Sequence, residues 1–107
     1  MRSERFSSDD FDHYVRAAIS AWETAVELRE QWNQFDGEEQ ASHLEEWPST
    51  NIILRRLSEY VAKHKLTEDQ KAQWAKLRKL VAEHEKDLEE MGYRVSVPAS
   101  VRGREAA

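Results

Sequence analysis

The stretch "WAKLRKLVAEHEKDLEEM" carries an apolar stripe of Trp74, Leu77, Val81, Leu88 and Met91, and in it His84 stands where a leucine would fit. An imidazole in that place can ligate a metal, act as a proton-sensitive switch, or serve as a polar core member tied down by a hydrogen bond. Helical di-metal sites require Glu-x-x-His pairs on two helices together with further inward glutamates. No Glu-x-x-His occurs; Asp10 and His13 form a lone Asp-x-x-His, and His64 falls roughly 30 Å from His84 when counted along helical rods. No metal site is therefore expected, and His84 is read as a polar core residue or a pH-sensitive one.

Other reactive types are equally unplaced. With no cysteine there is no thiolate nucleophile, no thiolate metal site and no disulfide framework, which fits a reducing cytoplasm. A Gly-rich phosphate loop, a Ser-His-Asp order on strand ends and a zincin helix are all missing from the sequence. The paired acids Glu38-Glu39, Glu45-Glu46 and Glu89-Glu90 lie where helix surfaces need solvation. Neither catalysis nor a cofactor is expected.

Recognition chemistry has more to work with. Four tryptophans stand at positions 22, 32, 47 and 74. Trp22 and Trp74 fall within apolar stripes and read as core, whereas Trp32 and Trp47 sit at the ends of helical segments, where an indole is suited to an interface. Ile52 lies opposite the apolar face of its own helix, and Tyr93, Val95 and Val97 alternate with polar residues at the period of a strand. Trp32, Trp47, Ile52, Tyr93, Val95 and Val97 are thus the candidate protein-interaction residues. A basic group of Arg55, Arg56, Lys76, Arg78 and Lys79 raises nucleic acid as a rival partner. It is interleaved with Glu59, Glu83 and Glu85, and a net charge of −5 argues against general affinity for phosphates.

These residues must be positioned by helices. About half of the 107 residues are Ala, Glu, Lys, Leu or Arg, and only three are glycine and two proline. The first rod opens at "SSDDFD", with Ser8 or Asp9 as N-cap, and runs to the Asp36-Gly37 turn. Its apolar residues, from Phe11 to Phe35, cover an arc of roughly 160°, wide enough for two neighbours. The second begins at Glu38 and must break at Pro48, which has no N–H to donate and leaves the carbonyl of Leu44 without its helical partner; Ser49 or Thr50 is placed to cap the restart. Thr67 with Gln70 makes a capping box for the third, and Gly92 supplies its C-cap.

The rods Asp9 to Phe35, Glu38 to His64 and Thr67 to Met91 are each roughly 40 Å long and joined by short turns. The expected fold is an all-α, up-down-up three-helix bundle over residues 1–92 with its middle helix broken at Pro48, or a four-helix arrangement if Pro48 reverses the chain. Residues 93–107 form a short extended segment and a flexible tail. If the second and third rods are antiparallel neighbours, His84 faces the break and can donate to the Leu44 carbonyl or to Glu45 or Glu46. The acids at the end of the third rod, Glu83 to Glu90, oppose the helix dipole and call for Arg94, Arg102, Arg104 or a basic partner.

No run of apolar residues approaches a membrane span. The functional expectation is a small cytoplasmic helical interaction or adaptor module that binds a protein partner or itself. A nucleic-acid-binding transcriptional regulator is the alternative, and a metal-binding bundle or enzyme comes third.

Overall fold

A computed structural model describes residues 6–102. They form an all-α fold, and no strand is present among the described residues. The elements are α1 (Ser8–Leu28), a 3₁₀ segment (Arg29–Gln34), α2 (Gly37–Glu45), α3 (Trp47–Lys63), α4 (Glu68–Met91) and α5 (Ala99–Arg102). None of these helices is long and apolar enough to cross a membrane.

Three of the starts are capping boxes. Ser7, one residue before the expected cap, accepts from the Asp10 N–H while the Asp10 carboxylate accepts from the Ser7 N–H. Asp36 with Glu39 and Thr67 with Gln70 repeat the exchange for α2 and α4, satisfying donors that the first turn leaves free. Gly92 closes α4 with φ of 110°, a left-handed conformation that glycine adopts at little cost. The middle rod is divided as Pro48 requires. Glu46 alone separates α2 from α3, and Pro48 occupies the first turn of α3, where its missing N–H would have had no helical partner. Neither Ser49 nor Thr50 caps it; α3 starts at Trp47 without a side-chain cap.

The wide apolar arc of α1 is used on two sides. Phe11, Val15, Ala18, Ile19, Trp22 and Ala25 are buried, and α1 packs mainly against α4 and next against α3. Leu54 and Leu57 of α3 and Leu77, Val81 and Leu88 of α4 complete the centre of the core. Gln70 ties the start of α4 to the start of α1: its side-chain amide donates to Ser8 Oγ at 2.9 Å and to Asp12 Oδ1 at 3.0 Å, at only 2 % exposure. The backbones of α3 and α4 approach each other less closely than either approaches α1, and α5 touches both. Two consequences of the simple bundle therefore change. The second and third rods are not close neighbours along their length, and the residues after Gly92 return along them.

Candidate functional site

The candidate interaction residues separate into three groups. Trp32, Trp47 and Tyr93 are interior, at 7 %, 5 % and 4 % exposure. The change from α to 3₁₀ geometry at Arg29 re-aims the end of the first rod. Trp32 is buried there, its indole Nε1 donates to the Met91 carbonyl at 2.9 Å, and its own carbonyl accepts from the Gln40 side-chain amide. Trp47 meets Tyr93 at 4.8 Å between centroids and Trp22 at 5.4 Å, both nearly perpendicular; Tyr93 in turn lies 5.7 Å from Trp32. Phe35 and His43 continue the chain of rings beside Trp32. Helix ends thus join in an aromatic cluster, and the expectation that Trp32, Trp47 and Tyr93 form an exposed interface is corrected. They face inward because the segment after Gly92 lays Tyr93 between the two indoles.

Val95 and Val97 are partly buried. Their segment is held as a strap along α3. The Asn51 side-chain amide donates to the Arg94 carbonyl at 2.8 Å and accepts from the Ser96 N–H at 3.1 Å, gripping the extended backbone as a neighbouring strand would. Two turns further along α3, Ser58 hydrogen-bonds Ser100, and Val101 beside it is fully buried. Nothing in the sequence marks Asn51 or Ser58 for this task, since both look like ordinary solvated helix positions.

Ile52 alone among the six is exposed, at 48 % the most exposed large hydrophobic of the described residues. It borders a shallow groove of about 200 Å³ shared with Phe6, Tyr14, Ile53 and Arg56. Phe6 stacks on Tyr14 at 5.8 Å and also reaches Tyr60. Two of the residues that line the groove are thus stacked aromatics. Arg56 and His13 act on the Asp10 carboxyl nearby, which lies below its usual range chiefly because of the hydrogen bond from the Ser7 N–H.

A larger cleft of about 690 Å³ opens between α1, the end of α2 and the start of α3, lined in part by Thr24, His43, Glu45, Glu46 and Thr50. Trp47 and Tyr93 also line it, though both are almost wholly buried. Burial, followed by the nearby Glu46 carboxylate, raises the Tyr93 phenol above its ordinary value near 10.0. The indole Nε1 atoms of Trp22 and Trp47 are buried without an acceptor.

His84 does not face the break at Pro48. Its ring, 27 % exposed, lies with carboxylates of its own helix: Nδ1 is 3.6 Å from Asp87 and Nε2 3.8 Å from Glu83, and Nδ1 makes no hydrogen bond of good geometry. At the break the Leu44 carbonyl is approached by the Glu46 N–H instead. A straight middle rod would bring the imidazole to the break, but that part of α4 packs against α1 and the 3₁₀ segment. The same contact supplies the cation expected for the acidic end of α4: Arg29 pairs with Asp87 at 3.3 Å. Arg94 is exposed, while the Arg102 side chain and Arg104 lie outside the described residues. Among the described residues no group of three or more His, Asp or Glu side chains is placed to hold a metal ion. Of the basic group, Lys76 pairs with Glu23 at 3.6 Å and Lys79 with Glu83 at 3.7 Å, so acids alternate with bases across that face.

Comparison with protein-family models, with curated proteins and with solved structures finds no match to this chain.

Proposed function

We propose that the protein is a small helical interaction module, without catalysis, which binds another protein or a second copy of itself through the face centred on Ile52. The observation that carries this function is the exposure of Ile52 beside a groove lined also by Phe6, Tyr14 and Ile53. Isolated exposed aliphatic residues are ordinary on protein surfaces, whereas one that adjoins further apolar surface and a charged rim is the pattern of a docking site. Arg56 supplies such a rim. The other five interaction candidates are spent wholly or partly on internal packing, which narrows the face to α3 and the start of α1.

A photo-crosslinking residue at position 52 tests this directly. Placed in the full chain in its native cells, it is expected to give discrete protein adducts. The same residue at the exposed Lys86 on α4 should give none of them. Adducts that are the same at both positions, or missing at both, would count against an Ile52-centred function. Purified protein weighed in solution across concentration then separates self-association from a foreign partner.

A further inference from the structure

The segment Tyr93–Val101 behaves as a ligand of its own fold. It makes no backbone ladder with the bundle among the described residues: its own backbone bonds are the Tyr93 N–H to the Leu88 carbonyl and the Val101 N–H to the Pro98 carbonyl. Attachment comes instead from two apolar anchors, Tyr93 and Val101, from Val95 and Val97 packed in part against the core, and from side chains that α3 presents along one face, Asn51 to Arg94 and Ser96, then Ser58 to Ser100. Between the anchors, Val95, Val97 and Pro98 stay partly exposed. A stretch without a ladder, whose backbone is held mainly by side chains, opens at lower free energy than the helices beneath it. Its connection to α4 is the single left-handed residue Gly92, and opening that reversal gives up only the bonds of the last turn, from the Gly92 N–H to the Glu89 carbonyl and from the Tyr93 N–H to the Leu88 carbonyl.

We propose that this segment exchanges between two copies of the chain, so that the seat on α3 and α4 of one copy receives Tyr93–Val101 of the other and a segment-exchanged dimer forms. The occupant is given by the structure itself, because the side-chain contacts that seat the segment within one copy are equally available between two. The exchange does not depend on the Ile52 face. Because cis and trans contacts are identical, weakening one of them alters both states equally and changes how fast exchange occurs, not how far it goes. Strain at the hinge has the opposite effect. A side chain at position 92 opposes the left-handed turn that only the closed form needs, and so favours the exchanged form.

The chain has no cysteine, and the Ser58 and Ser100 hydroxyls touch, which makes a disulfide between these positions a direct reporter. A chain carrying both Ser58→Cys and Ser100→Cys, oxidised while dilute, should close an internal disulfide and remain a monomer. Chains carrying one substitution each are then mixed at high concentration, incubated and mildly oxidised. A mixed 58-to-100 dimer should accumulate in excess of the two homodisulfides. Gly92→Ala, which relieves the strain at both hinges of the dimer, should raise the association constant about thirtyfold, and Asn51→Ala should hasten the dimer's appearance with the final amount unchanged. The proposal is overturned if the internal disulfide fails to close, if mixing yields only the statistical set of disulfides, or if Gly92→Ala leaves the dimer fraction where it was.

Discussion

Replacing Trp32 separates its interior role from an interface role by magnitude. The indole is 7 % exposed, contacts Tyr93, Phe35 and His43, and donates to the Met91 carbonyl. Trp32→Phe keeps one six-membered ring but removes the donor and part of the ring volume. The lost hydrogen bond is worth about 1 kcal/mol and the small void about another 1 kcal/mol. Trp32→Ala empties the site, for which large-to-small core changes set about 3–5 kcal/mol. The Met91 carbonyl lies in the last turn of α4, where water can replace the indole, so the lower half of that range is expected. For a chain of this size a urea slope of about 1.5 kcal/mol per molar converts these to midpoint falls of about 1.3 M for Phe and about 2–2.7 M for Ala. Urea titration followed by far-ultraviolet circular dichroism measures both. An exposed hot-spot tryptophan would move the midpoint by no more than about 0.3 M in either variant. That result, or equal falls for Phe and Ala, would refute the placement of Trp32 in the interior and its bond to α4.

Three further outcomes follow from single residues. Gly92→Ala should lower stability by about 1 kcal/mol, a fall of about 5 °C in Tm for dilute protein, because an alanine must adopt φ near 110° although its Cβ would meet Leu44 only at an ordinary 3.5 Å. The Asp10 carboxyl sits below its usual 3.8 in the folded chain, so its contribution is present above that pH and disappears as pH falls through the folded value. Amide shifts at the start of α1 should report fraying below about pH 4, and Asp10→Asn should remove that pH dependence. Tyr93 has the reverse sign: its folded value lies above 10.0, so the unfolded chain releases the proton first and stability declines as pH rises through the folded value. Alkaline melts should lose this component in Tyr93→Phe, and ultraviolet titration should show one tyrosine that ionises late.

Local signals in the sequence were sufficient for the helices. Thr67 with Gln70, Asp36 before Gly37, Pro48 and Gly92 each act within one turn of where they stand, so their effects can be read without the rest of the chain. The arc on α1 likewise required two neighbours and has them in α4 and α3. Two local choices went differently. Ser7 caps α1 in place of Ser8 or Asp9, because Asp10 reciprocates only at that spacing, and the first rod tightens to 3₁₀ geometry before Asp36. The placement of His84 required the path of the middle rod beyond Glu46, which no single-helix pattern contains.

What decided the site was a return of the chain that a helical wheel has no means of registering. Trp32 and Trp47 stand at helix ends, and taken helix by helix each has an uncovered side. Tyr93 covers both. The strand-like alternation of Tyr93, Val95 and Val97 was visible in the sequence, but its partner is one asparagine amide instead of a strand: Asn51 offers one donor and one acceptor, the same pair that an edge residue offers in a ladder. A single such grip fixes register at two backbone atoms and leaves the valines between the anchors partly in water. Ile52, one position along, is the large hydrophobic that the strap leaves uncovered. The residue before it turns its amide to the strap, and the next position on the helix, about 100° further round, points away from it toward the groove with Phe6 and Tyr14. The same helix thus holds its own C-terminal segment on one side and presents an apolar surface on another, and both properties follow from the order of Asn51 and Ile52.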